Sequence, residues 1–193
     1  MLSASSRFIS LILLASVASP AWTAEYRSTP GNRLRDLLQQ AVDDQRSFKD
    51  RFDAQVWLLD MSNRLRQFID DDQLRIQLLK NVHYEANRAR LHPELVLALI
   101  EVESRFDEFA ISVSGARGLM QIMPFWLNEI ELPNKNLFHI PTNLRMGCTI
   151  LKHYIELEKG DLTKALARYN GSQGKAAYPN KVFEALNRTW FRQ

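Results

Sequence analysis

The stretch HPELVLALIEVESRFDEFAISVSGARGLMQIMP, residues 92–124, joins a nearly all-apolar segment to a loop that holds two of the chain's seven glycines. Pro93 fits the first turn of a helix, and Glu94 fits the positive end of a helix dipole. The residues that follow are apolar on almost every side of this predicted helix: Leu95, Val96, Leu97, Ala98, Leu99, Ile100 and Val102. A helix that is apolar all round is buried, so the other helices must pack around it.

Glu103 closes this predicted helix on a face that is otherwise apolar. It follows Ile100 by three residues and Val96 by seven, which places the three side chains on one stripe. Glu101 is rotated by about 200° from Glu103 and faces elsewhere. Burial raises a carboxyl pKa, and a glutamate that is protonated near neutral pH can act as a general acid. The alternative is that Glu103 ends the helix at the surface as a solvated anion.

The segment after Glu103 has the composition of a turn that faces a ligand, because glycine tolerates positive φ and lets another molecule approach the backbone. Gln121 offers a neutral donor and acceptor, and Met123 offers a flexible apolar surface. Both suit sugar hydroxyl and acetamido groups better than phosphate. Phe106 and Phe109 are expected to pack beneath the loop. Backbone N–H groups facing a ligand are predicted for the turn formed by Ser112, Ser114, Gly115 and Gly118.

Apolar residues recur at helical spacing on both sides of this stretch, and no segment alternates apolar and polar residues as a strand does. The sequence therefore predicts an all-α fold. Asp72 and Asp161 are predicted helix caps, and Gly160 is a predicted helix end. Besides 93–104, the predicted helices are one or two within 32–69, then 73–89, 119–130 with a kink near Pro124, 141–159, 162–169 and 179–190.

Residues 1–24 have the pattern of a secretory signal peptide. Arg7 precedes the apolar stretch from Phe8 to Ala18, which is short for a membrane span, and small residues follow it. Cleavage is predicted after Ala21 or Ala24. No cysteine follows the stretch, so we expect a periplasmic or secreted protein that is not a lipoprotein and has no stable membrane span after cleavage. A retained N-terminal anchor is the alternative.

Charge, cysteine and histidine content exclude several classes of function. The chain has 25 Lys and Arg against 22 Asp and Glu, without a basic block that would track phosphates, so no nucleic-acid partner is expected. The single cysteine, Cys148, excludes an internal disulfide and is interpreted as a buried hydrophobe. The four histidines are scattered without an H-x-x-x-H pair, so we predict no metal site and no cofactor.

Two segments, ESRFDEFAISVSGARGLMQIMP and the later ALARYNGSQG, closely resemble the soluble lytic murein transglycosylase family, whose fold is that of goose-type lysozyme. That family has an E-S pair, a G-A-x-G-L-M-Q-I-M-P block and an A-x-Y-N segment. TNLRMGCTILKHYIE also matches the family's connecting helix. The resemblance covers about residues 85–178, and Glu108 stands where the family commonly has proline. Residues 25 to about 70 and the end RTWFRQ lie outside it.

The resemblance implies a reaction as well as a fold. The family cleaves the β-1,4 bond between N-acetylmuramic acid and N-acetylglucosamine in peptidoglycan without water and leaves a 1,6-anhydromuramyl end. The resemblance makes Glu103 the catalytic acid and then base, and it places the tyrosine hydroxyl of the Tyr-Asn pair near that carboxyl. The residues that it implies for glycan binding are Ser112, Gln121, Met123, Tyr169 and Asn170.

Ordinary glycosidases need two carboxylates at a defined separation. Glu101 points away from Glu103, and Asp107, one turn further on, is interpreted as a loop or helix-end cap. A substrate that supplies its own nucleophile removes the need for the second group. Two alternatives stay open: a muramidase of the same fold that uses water, and a cell-wall binding or assembly module with little turnover.

The expected domain organisation follows the extent of the resemblance. Residues 1–24 form the signal peptide, residues 25–72 an N-terminal helical extension, and residues 73–193 the catalytic domain. The extension could cap the catalytic domain, dock on an envelope protein or mediate self-association. Its residues select none of these roles.

Overall fold

The computed structural model describes residues 50–128 and 134–191, and the predicted segments before residue 50 lie outside this range. Apart from isolated bridges that join Arg117 to Ile111 and to Ile122, these residues form helices and irregular segments, so the all-α prediction is confirmed. A 3-10 helix spans Pro124–Asn128, and a π-helical turn spans Leu186–Trp190. The α-helices are α1 (Arg51–Leu65), α2 (Asp72–Arg88), α3 (Pro93–Ser104), α4 (Ile140–Leu157), α5 (Leu162–Tyr169) and α6 (Ala177–Ala185).

Helix α3 lies at the centre of the fold, as its apolar sequence predicts. The side chains of residues 95–101 are all buried, and those from Val96 to Ile100 are fully enclosed. Helices α2 and α6 and the π-helical turn pack against α3. The end of α3 that carries Glu103 is therefore held by elements that lie before and after it in the chain.

The sequence predicts aspartate caps for two helices, and the structure confirms one of them. The Asp161 carboxylate accepts a hydrogen bond from the Lys164 backbone N–H at 3.0 Å, which confirms Asp161 as the cap of α5. The cap of α2 is Asp71, which accepts from the Leu74 N–H at 2.7 Å, so the predicted cap at Asp72 is wrong by one residue. Asp72 is instead the first helical residue.

Helix α1 belongs to the same hydrophobic core as the later helices. The side chains of Trp57, Leu58, Met61 and Leu65 are buried in that core. The fully buried Arg75 donates to the carbonyls of residues 69 and 70, at 2.6 and 2.8 Å, and so fixes the connection between α1 and α2. The described part of the predicted 25–72 extension is therefore packed into one body with the helices that follow it.

A pair of neighbouring leucines tests whether α1 is part of the core. Leu58 is fully buried and Leu59 is 43% exposed. We expect Leu58→Ala to lower the free energy of unfolding by about 2–5 kcal/mol, because the lost methyl groups leave a cavity. Leu59→Ala is the matched control and should change it by less than about 1 kcal/mol. Urea unfolding measures both, and equal small losses would contradict the placement of α1.

The predicted helix over residues 119–130 is wrong in its described part. The backbone turns at Gly118, bridges from Arg117 to Ile122, and takes a left-handed conformation at Gln121, with φ +49°. Only Pro124–Asn128 is helical, as a 3-10 helix. The apolar spacing has another cause: residues 119, 120 and 122 are buried because this loop enters the core.

Candidate active site

Glu103 lies in the last turn of α3, where the chain leaves the core. It is partly buried, and burial raises the pKa of its carboxyl from 4.5 to about 7. The Tyr178 hydroxyl donates a hydrogen bond to Glu103 Oε1, and this bond lowers the pKa by less than burial raises it. The Glu103 carboxyl therefore carries a proton in a large fraction of molecules near neutral pH, as general acid catalysis requires.

Tyr178 is the residue of this site that the sequence reasoning missed. It is buried in the first turn of α6, and both burial and the charge of Glu103 raise the pKa of its hydroxyl. The hydroxyl therefore remains a hydrogen-bond donor to Glu103. In the sequence, the only local signal is an aromatic residue directly before Pro179 at the start of a helix.

The loop backbone at Leu119 and Met120, which we call the wall, is bonded to the residue after Glu103 and to Tyr169. The Ser104 hydroxyl donates to the Leu119 carbonyl at 2.8 Å, and the Tyr169 hydroxyl donates to the Met120 carbonyl at 2.8 Å. The Met120 N–H donates to Asn143 Oδ1, also at 2.8 Å. Side chains from α3, α4 and α5 thus hold two consecutive residues of the loop.

Asn143 and two glycines allow this wall to pack closely. Asn143 is buried, and its Nδ2 donates to the carbonyls of Arg117 and Leu137 at 2.9 and 2.8 Å. A Cβ at Gly118, where φ is +73°, would overlap the Asn143 amide. A Cβ at Gly147 would overlap the Met120 side chain, so α4 can approach the loop only because residue 147 is glycine.

The predicted N–H groups of the loop bond within the loop itself. The N–H of Gly115 donates to the Ser112 carbonyl at 2.9 Å, and that of Gly118 donates to the Ala110 carbonyl at 2.9 Å. The Ser112 hydroxyl oxygen accepts from the Ala116 N–H at 3.1 Å. The prediction that the N–H groups of both glycines face a ligand is therefore wrong, and Ser112 stabilises the shape of the turn.

Gln121 and Met123 lie further along the loop. Gln121 Nε2 donates to the carbonyls of Ala110 and Gly118, at 3.2 and 3.0 Å, which fixes the direction of the amide. Among residues 50–128 and 134–191, no group donates to its Oε1, so this oxygen is available as an acceptor. The Met123 side chain is partly exposed beside the 3-10 helix.

Tyr169 and Asn170 take different positions at the end of α5. The Tyr169 hydroxyl bonds to the Met120 carbonyl, and burial together with the charge of Glu103 raises its pKa. Tyr169 therefore lies near Glu103, but the hydroxyl that bonds to the carboxyl belongs to Tyr178. Asn170 is exposed and forms the C-cap of α5.

The two acidic residues nearest Glu103 in the sequence are engaged elsewhere. Glu101 is only 7% exposed, and its carboxylate accepts from the Arg188 guanidinium and, at 2.7 Å, from Trp190 Nε1. Asp107 accepts from the Phe109 N–H at 2.9 Å, which confirms its interpretation as a loop cap. Neither carboxylate pairs with Glu103.

The structure also places the remaining candidates. Cys148 is fully buried and burial raises its pKa, which confirms its interpretation as a core residue. Phe106 is buried as predicted, whereas Phe109 is 67% exposed and contacts only the Phe138 ring among the described aromatic residues.

In the described ranges, no group of three His, Cys, Asp or Glu side chains is placed to hold a metal ion. No helix in those ranges has the length and hydropathy of a membrane span.

A sequence model of one known family, described as the transglycosylase SLT domain, matches residues 80–188, more than half of this chain. The chain belongs to this family. The matched SLT domain contains Glu103, the wall at Leu119 and Met120, and both tyrosines of the site. Helix α1 and Trp190 lie outside it.

Individual relatives of the SLT domain agree with this assignment. A transglycosylase of Enterobacteria phage PRD1 is 31% identical over 105 residues, which are 50% of this chain and 38% of the phage protein. Membrane-bound lytic murein transglycosylase C of Actinobacillus pleuropneumoniae serotype 5b is 44% identical over 48 residues, 25% of this chain and 13% of that protein. The chain thus matches less than two-fifths of the length of either relative.

One solved structure is also similar to this chain. It is an inactive mutant of the lytic transglycosylase Slt from Pseudomonas aeruginosa, with 24% identity and a TM-score of 0.47. The similarity covers 80% of this chain and 27% of the Slt chain.

Replacement of Tyr178 tests the environment of Glu103 in the SLT domain. Tyr178→Phe removes the hydrogen bond that lowers the pKa of Glu103, so that pKa should rise above about 7. The pH at which activity falls on the alkaline side should rise with it, as a pH–rate profile would measure. Tyr84→Phe, on the outer side of α2, is the control and should leave the profile unchanged. A downward shift in Tyr178→Phe would contradict the assigned contact.

Proposed function

We propose that this chain is an exported lytic transglycosylase that cleaves peptidoglycan between N-acetylmuramic acid and N-acetylglucosamine. The observation that carries the proposal is the Glu103 carboxyl at the end of α3 in the SLT domain, whose pKa of about 7 lets it hold a proton near neutral pH. The names of the matched relatives, a transglycosylase and a lytic murein transglycosylase, support the same reaction. The goose-type lysozyme fold is part of this proposal.

In the proposed reaction, Glu103 acts first as an acid and then as a base. The protonated carboxyl gives its proton to the glycosidic oxygen as the bond from C1 of the muramyl unit breaks. The carboxylate then takes the proton of the C6 hydroxyl, and that oxygen closes on C1 to form the 1,6-anhydro ring. Because one proton is given and one is taken, Glu103 ends the cycle protonated, and the Tyr178 hydroxyl orients it throughout.

The contacts of Glu101 and Asp107 favour this route over hydrolysis that would use either of them as a second carboxylate. Glu101 is bound to Arg188 and Trp190, and Asp107 caps a turn. Neither is available as the second carboxylate that a glycosidase uses. An intramolecular hydroxyl makes a second carboxylate unnecessary, which supports the transglycosylase over the muramidase of the same fold.

The other candidate residues take proposed roles in glycan binding. Gln121 Oε1 is available to accept a hydrogen bond from a sugar hydroxyl or acetamido N–H, and Met123 provides a partly exposed apolar surface. Asn170 is exposed beside Tyr169 and can contact the sugar directly. Ser112 and Tyr169 act through the loop, since their hydroxyls bond to its backbone.

The cellular context of the proposal comes from the sequence. A signal peptide at residues 1–24 would deliver the chain to the periplasm or the exterior, where peptidoglycan lies. A role of the segment before α1 in docking an envelope protein stays part of the proposal.

Analysis of reaction products tests the proposed function. Purified sacculi digested with the full chain should release fragments with 1,6-anhydromuramyl ends, identified by mass spectrometry. Free reducing ends in their place would establish the muramidase. Wall clearance by Glu103→Gln at the parent's rate would reject catalysis by Glu103 and support the binding module.

A further inference from the structure

Three aromatic rings from separate parts of the chain meet at the end of α3. Phe106, three residues after Glu103, has its ring centroid 5.0 Å from that of Phe68 and 5.5 Å from that of Trp190. The centroids of Phe68 and Trp190 are 6.2 Å apart. Phe68 follows α1 and Trp190 ends the π-helical turn, so both lie outside the matched range 80–188. We call Phe68, Phe106 and Trp190 the ring cluster.

The backbone directly after Glu103 is held in an unfavourable conformation. Arg105 and Phe106 have φ of +52° and +68°, which is the left-handed region that side chains other than glycine rarely adopt. Such residues persist only where the surrounding contacts hold them. Phe68 and Trp190 both pack on Phe106, and Phe68 is the ring that also lies under the Arg105 guanidinium, 5.7 Å from its carbon.

Polar contacts attach the ring cluster to α3 and to α1. Trp190 Nε1 and the Arg188 guanidinium donate to the two oxygens of Glu101, one turn before Arg105. Arg64 in α1 donates to the Thr189 carbonyl at 2.8 Å. The last turn of α3 is therefore fixed on the side opposite Glu103 by Arg188, the last matched residue, and by Trp190 just beyond it, and α1 holds the same segment.

We propose that Phe68 is a positioning residue for Glu103: its ring holds the Arg105–Phe106 turn, and through that turn it sets the direction and the burial of the Glu103 carboxyl. Without the ring, the turn relaxes toward ordinary backbone conformations and water reaches Glu103. Within residues 50–128 and 134–191, the titratable groups that act on Glu103 or respond to its charge are Tyr178 on α6 and Tyr169 on α5, and neither is a ring partner of Phe68. The effect of Phe68 is therefore separate from theirs.

The test compares Phe68→Ala with two other variants of the full chain. Its kcat should fall roughly 10- to 100-fold with KM changed by less than about twofold, because the reacting group is displaced while the glycan contacts remain. The pH above which the activity of Phe68→Ala falls should be lower than in the parent, since hydration lowers the pKa of Glu103. Phe68→Tyr keeps the ring and should restore both values. Val82→Ala, a buried change in α2, is the stability control and should alter neither.

The expected changes in kcat, KM and pH profile rest on the proposed function. A measurement of the Glu103 pKa without substrate tests the inference separately. Carboxyl ¹³C NMR follows the titration of Glu103, assigned by its absence in Glu103→Gln. A lower Glu103 pKa in Phe68→Ala than in Val82→Ala supports the inference even if the parent chain cleaves no glycan. An equal pKa in the two variants overturns it. If Phe68→Ala does not fold, Phe68→Leu takes its place and the same comparison decides.

Discussion

Glu103→Gln should reduce glycan cleavage by about 10²- to 10⁴-fold, the usual contribution of a general acid and base. Glutamine keeps the shape of the side chain and an oxygen that can accept from the Tyr178 hydroxyl, but it has no proton to give to the leaving oxygen. Binding to purified sacculi should remain within a few-fold of the parent's. The measurements are turbidity loss of purified sacculi and pull-down on the same sacculi.

Glu156→Gln is the control for this loss of activity. It makes the same chemical change on an exposed part of α4, where Glu156 pairs with Lys152 at 3.2 Å. It should cleave sacculi at the parent's rate. Loss of activity in both variants would show that the effect of Glu103→Gln is not specific to the site.

The same substitution should change how stability depends on pH. The pKa of Glu103 is raised from 4.5 to about 7 on folding, so its contribution is fully present below 4.5 and is lost as pH rises through 7. Glutamine does not titrate. From about pH 4 to about pH 8, the unfolding free energy of Glu103→Gln should therefore gain about 3 kcal/mol relative to the parent. A difference that is constant with pH, measured by urea unfolding, would contradict the burial of Glu103.

Gly118→Ala should lower the free energy of unfolding by about 3–5 kcal/mol, the largest stability loss we expect at a single loop position. Its φ of +73° disfavours any residue with a Cβ, and that Cβ would overlap the buried Asn143 amide and lie 2.5 Å from the Leu137 carbonyl oxygen. Relief of the overlap would displace Asn143 from Met120 and open the wall. Activity should fall together with stability.

Gly115→Ala separates the two causes of this loss. Gly115 has a similar φ, +85°, but no described atom lies within 4 Å of the point that a Cβ would occupy there. We expect a loss of only about 1 kcal/mol, from the left-handed backbone alone. Equal losses in the two variants, measured by urea unfolding, would mean that close packing of Gly118 on Asn143 does not stabilise the loop.

The helices were predictable from the sequence because their signals are local. The apolar residues of α3 and the Asp161 cap each act within a turn or two of the chain, and the structure agrees with both. Helix α4 ends at Leu157, two residues before the end predicted at Lys159, and Gly160 follows with a φ of +89°. The helix predicted over 119–130 failed because its apolar spacing arises from tertiary contacts. Asn143 binds the Met120 N–H from α4, and this bond competes with a helical bond.

The site was predictable where a residue's role depends on its own helix. The stripe through Val96 and Ile100 correctly indicated a carboxyl with a raised pKa at Glu103. Tyr178 lies 75 residues away in sequence and reaches Glu103 only through the packing of α6 on α3. The glycine N–H groups were misassigned because a sequence does not reveal that Ala110 and Ser112 carbonyls already accept from them.

The central claim is that burial keeps Glu103 protonated near neutral pH, and its titration in the parent chain tests that claim most directly. Carboxyl ¹³C NMR, with Glu103→Gln as the assignment control, should give a midpoint of about 7 for this group. A midpoint near 4.5 would show a solvated carboxylate at the end of α3 and would contradict its role as the catalytic acid.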